Sequence, residues 1–318
     1  MIIENHMSPS RFSIYKQTQE RQLSEAIAQL EPSWEHACYI GTLLDEARAL
    51  LRNFATDSGL PNTTLATKAH ERKIEKYSTW IEVMRLAAFQ YGRYCGNHFT
   101  LTEGLYSTLL ALSTQYCQDL SGKTITVLGC GPGRTILDFA LAYPNSSVVG
   151  MDYSLLALVA AKHIIGMSGN GLMVPIRSTA SEGYSEFVTI PCFSLNNTRL
   201  CLCDLSEKQA LRADLIVCSN TINLLPDHEQ AVNVISDMLA PGGVILFADL
   251  TGWRLDRDPK NTVLRSEKAI ADCFARHNIH CLEQFKGGPY IEQETPENYT
   301  IYHEHFFVGE KGRMSWNI

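Results

Sequence analysis

The first part of the chain carries the hydrophobic spacing of amphipathic helices. Apolar residues recur every three or four positions in LLDEARALLRNF (43–54), and the same spacing continues in a long segment over 62–94 and in GLYSTLLALSTQYCQDL (104–120). This spacing places apolar side chains on one face of a helix. We therefore expect residues 1–122 to form a helical N-terminal region.

The pattern changes from residue 123 onward, where short apolar runs alternate with helical segments. The runs ITVLG, SSVVGMD, RLCLCD, ADLIVCSN and GGVILFADL are typical of strands, and the segments RTILDFALAY, SLLALVAAKHII and HEQAVNVISDML of helices. Alternation of this kind predicts a parallel sheet with helices on both faces. Residues 123–318 are thus expected to form an α/β domain.

Two parts of this domain depart from the alternation. The late segments HCLEQFKG and YTIYHEHFFVGE predict a terminal antiparallel pair of strands. Between 169 and 197, EFVTIPCFSL followed by TRLCLCD fits either an extra hairpin turning at Asn196 and Asn197 or a long loop before the next strand. The pattern leaves both alternatives open.

Composition narrows the class of partner. The 27 Lys and Arg residues against 34 Asp and Glu give a net charge of -7, so electrostatics provide no reason to expect nucleic acid or an anionic membrane. The N-terminus lacks the apolar run of a signal peptide, and the ten cysteines form no C-x-x-C pair. We expect a cytoplasmic protein without a disulfide framework that acts on a small molecule.

The stretch VLGCGPGR (127–134) is a glycine-rich turn between a predicted strand and a predicted helix. Its three glycines allow a ligand to approach the backbone closely. Asp152, in GMDYS, ends the next strand, where its carboxylate can accept two hydroxyl donors. A dinucleotide-binding turn requires a further glycine at the position of Arg134, for close packing of helix and strand. This departure disfavours NAD and FAD.

The order and spacing of VLGCGPG, GMDYS, LCLCDLSE and the APGG turn resemble those of the class I S-adenosylmethionine-dependent methyltransferases. The resemblance implies a Rossmann-like α/β sheet, mostly parallel with an antiparallel terminal strand, and S-adenosyl-L-methionine as cofactor. It also implies that the glycine turn passes beneath the methionine part, that Asp152 holds both ribose hydroxyls and that Asp204 lies near the adenine amine. The implied cofactor-binding residues are Gly129, Cys130, Gly131, Gly133, Asp152, Tyr153, Asp204, Leu205, Ser219 and Asn220.

The methyl acceptor is expected above the carboxyl ends of the strands, as ligands of open α/β sheets are. Many members of the family carry His or Glu-His after the fourth strand, where this chain has Asn223 and Leu224. An asparagine can orient an acceptor but cannot take its proton at neutral pH. The pattern therefore slightly favours N-methylation of an amine or amino-acid-like metabolite, because a neutral amine needs only alignment.

The segment YGRYCGNHFTLTEGLY (91–106) concentrates polar aromatic side chains just before the α/β domain. We expect His98 and Tyr94 to act with Asn223 as catalytic residues, since histidine is the common proton carrier near neutral pH. The predicted acceptor pocket comprises Tyr91, Glu103, Tyr106 and Asp249. No metal is expected, because His303 and His305 on one strand face would still need a third zinc ligand.

Three other functions fit the same pattern. Nicotianamine-synthase-like enzymes also place helices before this fold and transfer the aminocarboxypropyl arm of the cofactor, but their turn is similar to GSGPLP where this chain has GCGPGR. A groove between the two regions could hold a peptide acceptor. A non-catalytic binding protein that kept the fold is disfavoured by the intact glycines and Asp152.

Overall fold

The computed structural model describes residues 1–28, 37–54, 80–95, 103–166, 172–175, 187–251, 263–295 and 298–312. The strands are β1 (Ile3–Asn5), β2 (Thr124–Leu128), β3 (Ser147–Asp152), β4 (Leu172–Pro175), β5 (Phe187–Ile190), β6 (Thr198–Leu202), β7 (Ala213–Ser219), β8 (Leu239–Leu250), β9 (Ile279–Thr295) and β10 (Asn298–Lys311). The helices are α1 (Pro9–Ala28), α2 (Ala37–Asn53), α3 (Trp80–Gln90), α4 (Gly92–Cys95), α5 (Glu103–Tyr116), α6 (Arg134–Ala142), α7 (Leu155–Ile165), α8 (His228–Met238) and α9 (Glu267–Arg276).

The strands form a sheet in the order β1-β6-β3-β2-β7-β8-β10-β9. The first six of these run parallel, whereas β10 runs antiparallel to both β8 and β9. The central strands are buried along almost their whole length, as their continuous apolar runs predict. The predicted α/β sheet with an antiparallel terminal strand and a helical N-terminal region is confirmed.

The N-terminus adds a strand that no hydrophobic pattern predicts. Ile3 pairs with Leu200 and Asn5 with Leu202, so β1 extends the sheet beyond β6. Three residues are too few to show a periodicity, yet Ile3 is almost fully buried. Residues 3–5 therefore lie in the sheet, although the division at residue 122 assigns them to the helical region.

The segment before β6 contains a short antiparallel pair of its own. Leu172 pairs with Ile190 and Pro175 with Phe187, which joins β4 to β5 outside the main sheet. A hairpin turning at Asn196 and Asn197 is wrong, because the strand after this turn pairs with β3 and not with β5. β5 thus pairs through its backbone with β4, a partner that the sequence of β5 alone does not reveal.

The expectation that His303 and His305 share one strand face is also wrong. The register of β10 against β9 shifts between these two residues, and a bulge of this kind breaks the alternation of side chains. His303 is consequently exposed, whereas His305 is buried.

The helices pack on both faces of the sheet, as the alternation of segments predicts. The pattern over 43–54 lies within α2 except for its last residue, and that over 104–120 lies largely within α5; residues 62–79 of the other predicted helix lie outside the described residues. Asp227 caps α8 by accepting the backbone N–H of Gln230. Among the helices of these described ranges, none is both long and apolar enough to cross a bilayer.

Candidate active site

The glycine turn connects β2 to α6 in a conformation that requires glycine. Gly129, Gly131 and Gly133 have φ values of +59°, +52° and +93°, a region that other residues rarely adopt. A Cβ atom on Gly129 would lie 2.0 Å from Thr221 Oγ1, and one on Gly131 would lie 3.3 Å from Gln90 Nε2. The turn is therefore bare backbone on the side that faces β7 and α3.

Asp152 lies at the end of β3 beside this turn. The backbone N–H of Gly131 donates to its Oδ2 at 2.7 Å, and that of Ser154 donates to its Oδ1 at 2.8 Å. Burial raises the pKa of Asp152, while these backbone donors act in the opposite direction. A carboxylate has about four lone-pair positions, and a third backbone donor, that of Tyr153, also acts on Asp152. About one acceptor position therefore remains, which fits a ribose hydroxyl.

A cavity opens at the carboxyl ends of β2, β3, β6 and β7, where ligands of such sheets bind. Its lining includes nine of the ten predicted cofactor residues: Gly129, Cys130, Gly131, Asp152, Tyr153, Asp204, Leu205, Ser219 and Asn220. The tenth, Gly133, precedes α6 and packs toward Ala161, because a Cβ there would lie 3.1 Å from the Ala161 Cβ. The structure thus brings nine of the ten predicted residues together around one cavity.

Asp204 is held by the N-terminal helix, a contact that the sequence does not predict. Arg11 of α1 donates through Nε to Oδ2 of Asp204 at 2.6 Å, and the backbone N–H of Ser206 donates to Oδ1 at 2.8 Å. In the same helix, the Tyr15 ring packs edge-on against the Tyr153 ring at 4.8 Å. Helix α1 therefore supports the side chains at this end of the cavity.

Arg134, the residue in place of the dinucleotide glycine, joins the helical region to the glycine turn. Its guanidinium donates to both oxygens of Glu103 at 2.8 and 2.9 Å, to Asp138 Oδ2 at 2.8 Å and to the Gln90 carbonyl at 2.7 Å. The side chain is almost fully buried. Since the charge at 134 is satisfied inside the protein, its role here is to connect α3, α5 and α6.

Two of the predicted site tyrosines surround this arginine. The guanidinium of Arg134 lies over the rings of Tyr94 and Tyr106, with its Cζ atom 4.8 and 4.5 Å from their centroids. The hydroxyl of Tyr94 donates to Asp138, and Tyr106 also lines the cavity. The predicted pocket role thus fits Tyr106, whereas Tyr94 contacts α6.

Tyr91 and Glu103, the other predicted pocket residues of this segment, make contacts inside the protein. Tyr91 is fully buried and donates to the Pro132 carbonyl at 3.1 Å, and Glu103 pairs with Arg134; neither residue lines the cavity. The physical reason is the buried arginine, which attracts the carboxylate and the aromatic faces that the sequence assigned to a substrate. His98 lies outside the described residues.

Asn223 and Asp249 contact each other rather than the cavity. The backbone N–H of Asn223 donates to Oδ2 of Asp249 at 3.1 Å, and that of Leu250 donates to Oδ1 at 2.8 Å. Burial raises the pKa of Asp249 to about 7 despite these donors. Neither residue is part of the cavity lining. Asp249 therefore fixes the short 3₁₀ turn Ile222–Leu224 that follows β7.

Glu304 contacts a residue of the cavity lining, although the sequence singles it out only as part of a histidine-containing triplet. Asn220 donates through Nδ2 to Oε1 of Glu304 at 2.7 Å. Burial raises the pKa of Glu304 to about 7, the bond from Asn220 lowers it, and the charge of Asp249 raises it further. The position of Glu304 just before the apolar run that begins at Phe306 is the signal that could have indicated its burial.

Comparison with known proteins agrees with the geometry of the sheet side. A protein-family model described as a methyltransferase domain matches residues 127–245. Ubiquinone biosynthesis O-methyltransferase of Pasteurella multocida is 29% identical over 151 residues, which cover 46% of this chain and 55% of that protein. The protein of the same name from Pseudomonas syringae pv. tomato is 25% identical over 142 residues, 45% of this chain and 48% of its own length. The chain spans about half the length of the curated relatives it matches.

Solved structures with a similar fold include two methyltransferases. Magnesium protoporphyrin IX methyltransferase from Synechocystis PCC 6803 with bound SAM is 12% identical and covers 79% of this chain and 100% of its own, with a TM-score of 0.49. The N-methyltransferase NodS from Bradyrhizobium japonicum WM9 is 16% identical and covers 77% and 97%, with a TM-score of 0.46.

Proposed function

We propose that this chain, whose residues 127–245 match a methyltransferase domain, is a class I S-adenosylmethionine-dependent enzyme that transfers the methyl group of S-adenosyl-L-methionine to a small-molecule acceptor. The observation that carries the proposal is one cavity with two kinds of wall. The glycine turn and Asp152 line it on the sheet side, and Tyr106 of α5 lines it on the helical side. The arrangement has a place for a cofactor and a place for a second reactant.

The residues present fit the cofactor. The carboxylate of Asp152 keeps an acceptor position for a ribose hydroxyl. The bare turn at Gly129 and Gly131 leaves space for the methionine part, and Leu205 offers an apolar side chain beside Asp204 for the adenine. Bound there, the cofactor supplies a methyl group that its positive sulfur already activates. The protein therefore has to bind and align two reactants, which accounts for a large share of such accelerations.

The acceptor is proposed to have a small apolar body. On the helical side and after β7, the cavity is lined by Val83, Leu86, Leu105, Leu224 and Leu225. Side chains of this kind exclude water and bind apolar or aromatic rings. A small aromatic molecule suits this lining better than a charged peptide does.

Two acceptor atoms are to be distinguished. The sequence slightly favours nitrogen because Asn223 cannot take a proton, but Asn223 contacts Asp249 and lies outside the cavity lining. The curated relatives carry the name of O-methyltransferases. We therefore propose a hydroxyl acceptor first and an amine second.

Cofactor binding is the first test. In calorimetry, S-adenosylhomocysteine is expected to bind the wild-type protein, and Asp152→Ala should weaken this binding by at least about 100-fold, or ~3 kcal/mol. Asp214→Ala is the matched control, because Asp214 also accepts a backbone N–H, that of Thr124, but lies outside the cavity lining. Absence of binding to the wild-type protein would refute the proposal.

Group transfer is the second test. With the methyl group of the cofactor labelled, the label should enter small phenols or amines and not peptides, and the by-product should be S-adenosylhomocysteine. Release of methylthioadenosine would instead favour aminocarboxypropyl transfer. Comparison of phenols with amines of the same ring size identifies the acceptor atom.

A further inference from the structure

We propose that Glu4, His6 and Cys201 bind one zinc ion at the edge of the sheet, where β1 joins β6. The inference goes beyond the proposed function and does not rest on it, because the three residues lie outside the cavity lining. The sequence alone does not indicate this site, since Cys201 is 197 residues away from Glu4 and only the pairing of two strands brings them together.

The pairing of β1 with β6 places the three side chains on one face of the sheet. Glu4 lies opposite Cys201 in the register of this parallel pair. The N–H of His6 donates to the Leu202 carbonyl at 2.8 Å, so the pairing continues past the end of β1. Because side chains alternate along a strand, His6 and Glu4 face the same side. The strand pairing itself therefore brings a carboxylate, an imidazole and a thiol together.

The distances between these groups are close to those around tetrahedral zinc. Nε2 of His6 lies 3.1 Å from Oε2 of Glu4, and Sγ of Cys201 lies 3.9 Å from the same oxygen. Zinc bonds of about 2.0–2.1 Å to nitrogen and oxygen and about 2.3 Å to sulfur place neighbouring ligand atoms roughly 3.3 and 3.6 Å apart. All three ligand atoms lie within 4.8 Å of one another, so small side-chain rotations can place them around one ion.

The donor set favours zinc over magnesium or calcium. Magnesium and calcium bind oxygen ligands, whereas a thiolate, an imidazole and a carboxylate together are typical of zinc. Cys201 is buried, and zinc binding displaces the proton of its thiol, because the thiolate is the ligand. Glu4 and His6 are partly exposed, so a water molecule can reach the fourth position of the tetrahedron.

Arg199 also pairs with Glu4, but through the other carboxylate oxygen. Its Nη1 atom lies 4.0 Å from Oε1 of Glu4, whereas His6 and Cys201 face Oε2. The guanidinium is half exposed, so solvent screens its repulsion of a nearby cation. Glu4 can therefore pair with the arginine through one oxygen and bind the ion through the other.

Zinc at this site would attach the start of the chain to the sheet. β1 is only three residues long, and an ion would add a second link between β1 and β6. Directly after β1, Ser8 bonds to Glu207 and Arg11 bonds to Asp204, beside the cavity. Structural zinc usually has four protein ligands. Three ligands and a water indicate an ion that exchanges with solution, so this attachment should depend on the concentration of free zinc.

The experiment titrates the full-length protein, first treated with a chelator, with cobalt(II) and then with zinc. Cobalt bound to a thiolate gives a charge-transfer absorption in the near ultraviolet, which reports directly on a cysteine ligand. One equivalent of cobalt should produce this absorption, and one equivalent of zinc should remove it. Competition with a chelator should give a zinc dissociation constant in the micromolar range or tighter.

Three variants each remove one ligand. Cys201→Ala should abolish the charge-transfer absorption. Glu4→Gln and His6→Gln should each weaken zinc binding at least about 100-fold, the upper end of the cost of losing even an outer-shell partner. These two substitutions alter partly exposed side chains, so they test the site even if the loss of the buried Cys201 disturbs the fold.

His277→Gln is the matched control. Glu229, Cys273 and His277 form the other cluster of this kind among the residues that the structure describes. There, Arg276 lies 3.0 Å from Oε1 of Glu229, the same oxygen that faces His277. Because a cation already occupies this oxygen, the control variant should bind cobalt and zinc as the wild-type protein does.

Hydrogen exchange tests the attachment of the N-terminus. Saturating zinc should slow amide exchange in residues 1–11 by at least about 3-fold in the wild-type protein, because the ion stabilises the paired state of β1. In His6→Gln, the same zinc concentration should leave this exchange unchanged. Equal exchange with and without bound zinc in the wild-type protein would overturn the attachment.

Two results would overturn the site itself. The first is the absence of the charge-transfer absorption or of micromolar zinc binding in the wild-type protein. The second is unchanged zinc binding in His6→Gln together with its loss in His277→Gln, which would place the ion at the other cluster. Neither measurement requires S-adenosylhomocysteine, so failure of this inference leaves the proposed function unaffected.

Discussion

The two walls of the cavity are built from different kinds of interaction. On the sheet side, the shape depends on backbone: glycines with positive φ values, and a carboxylate at 152 that accepts two main-chain N–H groups. On the helical side, the shape depends on ion pairs between side chains. Arg134 is bonded to Glu103, 31 residues away in the chain, and Arg11 to Asp204, 193 residues away. Local sequence specifies the first wall, and distant pairings specify the second.

This difference determines how each wall should fail. A side chain added to the sheet wall collides with neighbours or forces a strained backbone, so the site itself is lost. Removal of an ion pair from the helical wall leaves a charge without its partner in a buried position, so the attachment of the helices is weakened.

The largest effect is expected from Gly129→Ala in the sheet wall. The added Cβ would lie 2.0 Å from Thr221 Oγ1 and 2.8 Å from its Cβ, at a φ value of +59°. Relief of this overlap must separate the turn from the end of β7, on which both ligands depend. Binding of S-adenosylhomocysteine measured by calorimetry should fall by about 1000-fold or more, ~4 kcal/mol.

Gly104→Ala is the control for this substitution. No atom lies within 4 Å of a Cβ at that position in α5, so the affinity should not change and the helix should gain up to ~1 kcal/mol of stability. If Gly129→Ala bound S-adenosylhomocysteine as tightly as the wild-type protein does, the view that backbone conformation shapes the sheet wall would be wrong.

The second effect in size is expected from Arg134→Met in the helical wall. The substitution keeps an apolar stem but leaves Asp138 buried and Glu103 partly buried without their cationic partner. Loss of one partner of a buried ion pair commonly destabilises by several kcal/mol, and the partial exposure of Glu103 reduces this. The free energy of unfolding in denaturant should fall by about 3 kcal/mol.

Lys268→Met supplies the comparison for the arginine. The pair of Lys268 with Asp272 on α9 is exposed, so its loss should cost less than about 0.5 kcal/mol. Equal small effects in both variants would contradict the view that Arg134 attaches the helical wall.

Sequence predicts the two walls unequally for the same reason. The turn at 129–133, Asp152 at the end of β3 and Asp204 after β6 can each be recognised from the residues next to them in the sequence. The partners of Arg134 come from three helices, and nothing in the spacing of YGRYCGNHFTLTEGLY distinguishes a carboxylate that binds substrate from one that binds an arginine. Tyr91 and Glu103, which the sequence predicts as pocket residues, therefore lie outside the cavity lining.

The edges of the fold show the same limit. β1 is three residues long and derives its strand conformation from pairing with β6. The hydrophobic pattern therefore does not predict it, and residues 1–122 are all assigned to the helical region. The bulge between His303 and His305 depends on the register of β10 against β9. A prediction that assumes strict alternation of side chains along a strand misses such a bulge. Glu304 lies between these two histidines, and its bond with Asn220 depends on the pairing of β10 with β8, which the sequence does not show.

The smallest effect is expected where α2 attaches to α7, through Glu46. Its carboxylate accepts from His163 Nε2 at 2.6 Å and from Lys162 Nζ at 2.5 Å. The bond from His163, with a further contribution from Lys162, outweighs burial and lowers the pKa of Glu46 to about 2. At pH 7, Glu46→Gln should lower the free energy of unfolding by about 1 kcal/mol, because the pair is partly exposed and solvent screens it.

The pH dependence of this effect has a definite sign. A carboxyl group whose pKa is lower in the folded state than its ordinary value of 4.5 stabilises the fold above that value, and the stabilisation disappears as the pH falls through about 2. The difference between wild type and Glu46→Gln should therefore shrink as the pH falls below about 5. A difference that stayed constant down to pH 3 would show that the charge of Glu46 does not attach α2, and that this part of the helical wall depends on apolar packing instead.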